Sequence, residues 1–259
     1  MNQVIQCINN RVSLRKYSAE PLTPEHTQAI LHSALRAPTA GNMMLYSILQ
    51  ITEQEVKNTL AKTCDDQPFI AKAPLVLVFL ADLQRWYDYY QSAGVKEFCT
   101  QTGRDFTGPD EGALFLASSD ALIAAQNAVI AGESLGVGSC YIGDIMERYE
   151  DHRQIFDLPP WTFPVAMLCM GYYPAELRPE PRERLAQNHV VFENKYKRFD
   201  PSTLDEIFAF RHKEFTQQNP YGAQNLAQVV YARKTGADYA KEMGRSVRLA
   251  LKNWQGERL

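Results

Sequence analysis

Apolar residues recur along this chain at two different periods. Within residues 2–10, Val4, Ile5 and Ile8 keep helical spacing. A second helix has clear start and stop signals. Thr23 suits an N-cap, Pro24 the first helical position and Glu25 the positive end of the helix dipole. The pattern continues through Ala29, Ile30, Ala34 and Leu35 and stops before Pro38, since a proline pushes its predecessor out of helical backbone. Leu45 to Ile51 reads as a strand and the stretch 53–62, EQEVKNTLAK, as a helix. Pro74 opens PLVLVFLA, an unbroken apolar run with β-branched content, which fits a strand covered on both faces. Residues 82–107 are rich in Tyr, Phe, Gln and charge and are predicted to form a helix and an exposed loop.

The strongest helical signal runs from about Glu111 to Leu135. Its apolar positions, among them Leu114, Phe115, Ala117, Leu122, Ala125, Val129 and Ile130, cover much of the circumference. Such a helix is deeply buried or lies in a subunit interface. Gly136 ends it. Val137–Ile142 then reads as a strand, Ile145–Phe156 as a helix and Pro164–Tyr172 as a second buried strand, followed by a Pro/Arg/Glu-rich loop to Leu185. Residues 201–259 carry two helical stretches without strand signal, joined by a turn at Asn219-Pro220-Tyr221-Gly222. The irregular alternation of strands and helices predicts an α+β fold over a doubly wound sheet.

Composition narrows the function classes. Apolar residues are 45%, charged residues 22% and the formal net charge is -3 over 259 residues, an ordinary globular profile with no overall basic field. Nucleic acid and anionic lipid are therefore not expected partners. No apolar run approaches the roughly 18–20 residues of a spanning helix. The N-terminal MNQVIQCINNR lacks a basic leader and an apolar signal core, so a cytoplasmic location is expected. Cys7, Cys64, Cys99, Cys140 and Cys169 are odd in number and without C-x-x-C spacing. They are read as small buried hydrophobes or inert thiols, and neither a disulfide framework nor a metal site is expected. Most of the histidines (26, 32, 152, 189, 212) are read as surface residues.

The usual catalytic constellations are absent. Gly136-Val137-Gly138 has the wrong spacing to its next glycine and follows a helix, so it is no dinucleotide fingerprint. No phosphate-binding loop of the G-x-x-x-x-G-K type, no nucleophile elbow and no histidine pair at ligand spacing occurs. An enzyme of this kind borrows a cofactor that carries the chemistry, and no catalytic side chain is assigned.

Three clusters remain. Arg11, Ser13 and Arg15 alternate, and in extended backbone alternate side chains share a face, so two guanidinium groups and a hydroxyl can converge on one oxyanion. Ala37-Pro38-Thr39-Ala40-Gly41-Asn42-Met43-Met44 joins a helix to a strand with small residues that let a flat ligand approach. Arg182 and Arg184 alternate in the loop after the last strand. Taken singly, each reads as a solvated basic patch or an ordinary turn. Together they favour a bound anionic cofactor.

In this order the motifs resemble those of the FMN-dependent nitroreductases, with the larger oxygen-insensitive nitroreductases and flavin reductases the nearest in pattern. The similarity rests on Arg11-Val12-Ser13-Leu14-Arg15-Lys16-Tyr17, Ala37–Asn42, Gln67-Pro68-Phe69, Leu135–Gly143 and Gly171-Tyr172 leading to Arg182 and Arg184, and it covers roughly residues 1–200. It implies a central mixed sheet flanked by helices, a 1–200 FMN-binding domain and a 201–259 helical extension packed on the same dimer. It also implies a homodimer with FMN at the interface. Arg11, Arg15, Arg182 and Arg184 would hold the phosphate, with Ser13 near the phosphate or ring edge. Pro38, Thr39, Ala40 and Asn42 would lie along the ring or ribityl, commonly from the second subunit. Gln67 would bond the pyrimidine edge, and a donor such as Gln67 or a guanidinium would tune N1 and O2. The backbone of Tyr141, Ile142 and Gly143 would approach N5. Met44 replaces a frequent Gln and keeps a backbone or packing role. Asp144 replaces a small residue and its charge has no assigned purpose. The implied activity is NAD(P)H-dependent reduction of nitroaromatics, quinones or flavins in a ping-pong cycle. Dehalogenation, flavin breakdown or a non-enzymatic flavin sensor are the alternatives.

Overall fold

The computed structural model describes residues 2–176 and 180–255. Helix α1 (Gln3–Asn10) is capped by the Asn2 side chain and buries none of its residues. Helix α2 (Pro24–Leu35) starts as its sequence predicts, with the Thr23 hydroxyl accepting from the His26 amide at 3.1 Å. Strand β1 (Tyr46–Ile51), helix α3 (Gln54–Thr63) and strand β2 (Leu75–Asp82) follow. Two short helices, α4 (Gln84–Ser92) and α5 (Val95–Gln101), occupy the polar and aromatic stretch. The long α6 (Glu111–Ser134) leads into β3 (Val137–Ile142) through Gly136, whose φ of 74° is the left-handed turn that ends helices and favours glycine.

The sequence predicts one helix from Ile145 to Phe156. The structure instead has a 3₁₀ turn at Asp144–Met146 and a separate α7 (Tyr149–Ile155). Glu147 is extended and turned inward, and Arg148 takes a φ of 46°, with its amide donating to Glu242 Oε1 at 3.2 Å. That contact is more than ninety residues distant in sequence and no local pattern encodes it. Strand β4 (Thr162–Tyr172) begins two residues ahead of the expected Pro164. Pro164 is tolerated because β3 pairs only with Met167–Tyr172, so β4 is an edge at its start, and the β2 register shifts there between Phe79 and Leu80.

The sheet order is β1-β2-β4-β3. All three pairings are antiparallel. The α+β class holds, but among the described residues the mixed character expected of the sheet reduces to one parallel bridge, Ser13 to Ser139. The buried β2 run divides by side-chain alternation. Leu75, Leu77, Phe79 and Ala81 enter the core shared with α2 and α6, while Val76, Val78 and Leu80 enter the core beneath α3.

Helix α6 presents Ala117, Ala121, Ala124, Ala125 and Ala128 to the first core, a small-residue face that lets the helix lie close. Its other side leaves Phe115 (73%), Leu116, Leu122 and Ile123 exposed. The expectation that no segment is long and apolar enough to cross a membrane is overturned for α6, which meets both criteria; its buried face packs in the core. His152 departs from the surface assignment. It is fully buried, its Nδ1 is 2.9 Å from Ile145 O and its Nε2 2.8 Å from Thr63 Oγ1. The five cysteines are free, and all but Cys7 are buried.

The chain separates into two compact units. One holds the residues up to Glu180 and those from Glu242 on, and the other spans Pro181–Lys241. The second unit contains α8 (Pro201–Phe208), a 3₁₀ stretch Ala209–Glu214, α9 (Leu226–Val230) and a π-turn Tyr231–Thr235, more segments than the two predicted for the tail. The Asn219 turn forms as expected, its side chain accepting from the amides of Tyr221 and Ala223. Helix α10 (Asp238–Trp254) ends in the first unit, where Trp254 Nε1 donates to Asp110 O at 3.1 Å and Asn253 Nδ2 to Tyr149 OH at 2.9 Å.

Candidate cofactor site

Residues 11–15 run extended beside β3. The Leu14 amide donates to Ser139 O at 2.9 Å, which fixes the register of the segment. Val12 (7% exposed) and Leu14 (2%) point into the protein, so Arg11, Ser13 and Arg15 face outward together. A Cβ on Gly138 would stand 2.7 Å from Leu14 Cδ2, so the close approach of segment to strand requires glycine there. The Arg15 guanidinium lies 5.8 Å from the centre of the Phe69 ring. Burial pushes the Cys140 thiol up, while Arg15, then Arg11, and a hydrogen bond with Ser13 pull against it. All three side chains of the alternating run therefore stand around the middle of β3. Burial likewise pushes Tyr141 up to about 12, opposed by Arg11.

Gln67 reaches the same edge from the loop after α3. That loop turns through consecutive left-handed residues, Asp65 and Asp66, and the Gln67 amide donates to Ala61 O at 2.7 Å. The Gln67 side-chain Nε2 donates twice, to Cys64 O at 2.9 Å and to Asp144 Oδ2 at 2.8 Å. Asp144 follows Gly143 at the end of β3, and the backbone at Gly143 is exposed. Behind Asp144 sits Glu147, 5% exposed, with its Oε1 unpartnered. Burial first, then the Asp144 charge and a hydrogen bond with Asp144, push the Glu147 carboxyl up to about 8, with Asp65 and Glu242 adding to the rise.

The loop before β1 is built around a buried carboxyl on α6. Asp120 accepts from the Thr39 hydroxyl in a short hydrogen bond, from the Ala40 amide at 3.1 Å and from the Leu45 amide at 3.3 Å. Thr39 Oγ1 also accepts from the Met44 amide at 2.9 Å, so its hydroxyl is committed within the loop. Gly41, Asn42 and Met44 all have positive φ. Arg85 Nη2 donates to Met44 O at 2.7 Å and Trp86 Nε1 to Met43 O at 2.8 Å. An open cavity of about 650 Å³ lies alongside, lined by Asn42, Met43, Met44, Tyr46, Arg85 and Trp86 among others.

The first unit thus brings Arg11, Ser13, Arg15, Gln67, Tyr141, Ile142 and Gly143 to the β3 edge. It carries Pro38, Thr39, Ala40, Asn42 and Met44 at the β1 edge, with β2 and β4 between, roughly 14 Å away at the usual strand spacing. Arg182 and Arg184 are exposed in the second unit, where Glu183 pairs with Lys213 at 3.6 Å. Sequence reading missed Asp120 and Glu147 and gave Phe69 no role. Asp120 left a faint signal, a single acid in the middle of an alanine-lined helix face. Glu147 left none, because its environment is assembled from distant segments.

The nitroreductase family model matches residues 8–172. The chain is 30% identical over 257 residues to the FMN reductase (NADPH) of Bacillus subtilis, covering 94% of this chain and 98% of that one. It is 30% identical over 206 residues to the oxygen-insensitive NADPH nitroreductase of Salmonella typhimurium, covering 79% of each. The structure of NfrA2 from B. megaterium superposes with a TM-score of 0.77 at 28% identity, covering 99% of this chain and 98% of that one. The matched span holds the outward Arg11–Arg15 run, the Asp120-anchored loop, Gln67 and the end of β3, and this chain is a member of the nitroreductase family.

Proposed function

We propose that this chain is an FMN-dependent NAD(P)H oxidoreductase that reduces nitroaromatics, quinones or flavins. The observation that carries the reading is the outward alignment of Arg11, Ser13 and Arg15 beside β3, with Gln67 and the exposed Gly143 backbone on the same edge. The donor set fits the cofactor: two guanidinium groups and a hydroxyl suit a phosphate, and a glycine backbone lets a flat ring approach. The names of the Bacillus and Salmonella relatives, an FMN reductase (NADPH) and an NADPH nitroreductase, support the same chemistry and favour NADPH.

Bound FMN supplies hydride acceptance from the nicotinamide and electron delivery to the acceptor that next takes its place. The protein's own work is positional. Arg11 and Arg15 hold the phosphate. Val12 and Leu14 lock that run to β3 so that the guanidinium groups stay aligned. Asp120 holds the Thr39 loop in its left-handed backbone, and Asn42 is free on its surface. A second copy supplies that loop to the β3 edge of the first, in a homodimer. The apolar residues left exposed on α6 and on α1 (Val4, Ile5, Ile8) support this assembly, since water-exposed apolar faces of that extent mark interfaces. The unpaired cysteines agree with a cytoplasmic site of action.

The test is direct. Purified protein is expected to be yellow or to become so with FMN, and to oxidise NADPH with a quinone, a nitroaromatic or free flavin as acceptor. Arg15→Ala is expected to lower FMN occupancy at least tenfold before acceptor preference changes, and full occupancy would remove the run from the site. Colourless protein that stays colourless with FMN would sink the assignment. Yellow protein without NAD(P)H oxidation would turn it toward dehalogenation or flavin breakdown.

A further inference from the structure

We propose that Asp144 locks the Gln67 side chain so that only its Oε1 is offered to the flavin, making Gln67 an acceptor for the pyrimidine N3–H and leaving the reduced ring without a Gln67 donor. This rests on the FMN reading above and goes beyond it. A primary amide has two hydrogens. Both hydrogens of Gln67 Nε2 are committed, one to the Cys64 carbonyl at 2.9 Å and one to Asp144 Oδ2 at 2.8 Å. The orientation is unambiguous, because a backbone carbonyl and a carboxylate oxygen only accept, so the nitrogen must face both. Of the atoms on the flavin's pyrimidine edge, N3–H is the donor and N1, O2 and O4 are acceptors, so the remaining Oε1 can meet only N3–H.

The role expected for Gln67, donation toward N1 and O2, is therefore closed in this chain. Asp144 adds a second effect. Its charge reaches Cys140, the same thiol that Arg11 and Arg15 act on, so it stands within the field of the arginine run. A carboxylate there opposes the negative charge that reduced flavin carries at N1 and O2. Glu147 completes the device. It is buried with an unpartnered Oε1, and burial and the Asp144 charge push its carboxyl up to about 8, which suits a neutral carboxyl beside Asp144. Asp144 Oδ2 accepts from Gln67. Asp144 and Glu147 are positioning residues in this account, acting on the flavin through Gln67 and through charge.

Two measurements test it. In flavin-free protein with ¹⁵N-labelled glutamine, both Gln67 side-chain protons are expected to be shifted and protected from exchange, and Asp144→Ala is expected to release one of them. Identical Gln67 signals in the two proteins would overturn the lock, and this readout stands even if no flavin binds. In FMN-loaded protein, the two-electron potential is read against a reference dye. Asp144→Asn removes the charge and keeps an acceptor for Gln67, so it is expected to favour reduced flavin at least tenfold, about 30 mV for a two-electron couple. Asp144→Ala is expected to move further in the same direction, because it also frees a Gln67 donor. An unchanged or lowered potential in Asp144→Asn would overturn the charge argument. Wild-type protein that takes up no FMN would instead refute the flavin reading itself.

Discussion

The buried Glu147 makes stability depend on pH in a direction opposite to most carboxylates. Its carboxyl titrates at about 8 in the folded protein and near 4.5 once unfolded. Between those values the native state holds a proton that the unfolded chain has released, so stability falls as pH rises through the window, and the loss is complete above about 8. The gap corresponds to roughly 4 to 5 kcal/mol at its fullest. Burial is its first cause, and Asp144, Asp65 and Glu242 all face the group with negative charge. Glu147→Gln removes the titration while its amide can still donate to Asp144 in place of the carboxyl proton. The variant and the wild type are therefore expected to be close in stability near pH 4 and to diverge with rising pH, the variant ending more stable by roughly 4 kcal/mol at pH 9. Urea unfolding at fixed protein concentration and fixed flavin content, in half-unit steps from pH 4 to 9, reads this directly. A difference between the two proteins that changes by less than about 1 kcal/mol across that range refutes the reasoning.

Two further outcomes follow from the packing. Asp120→Ala strands the Thr39 hydroxyl and the Ala40 and Leu45 amides beside a buried cavity, and is expected to cost about 3 kcal/mol in urea unfolding and to weaken FMN retention. Wild-type stability in that variant would show that the loop holds itself. Leu122→Asp with Ile123→Asp places two charges on the exposed apolar side of α6, and light scattering is expected to show a monomer that has lost flavin; a dimer that persists would move the interface elsewhere.

Much of the architecture is legible along the chain. Thr23 and Pro24 announce α2, unbroken apolar runs announce β2 and β4, and Gly136 ends α6, because capping, burial on two faces and left-handed turns are local properties. The shared face of Arg11, Ser13 and Arg15 is local too, since it needs only extended backbone. Other features depend on which segments meet. The strand order and antiparallel pairing, the break of the expected 145–156 helix at Arg148 and the burial of His152 come from contacts across tens of residues. The placement of the Thr39 loop at the edge opposite Gln67 is of this kind. So is the state of Gln67. By itself the sequence determined that a glutamine and two alternating arginines stand in the order of a flavin-binding family, with an aspartate at a position where a small residue is usual. Only the tertiary structure decided that both amide hydrogens of that glutamine are already committed, because a side chain's free valence is set by neighbours 3 and 77 positions away.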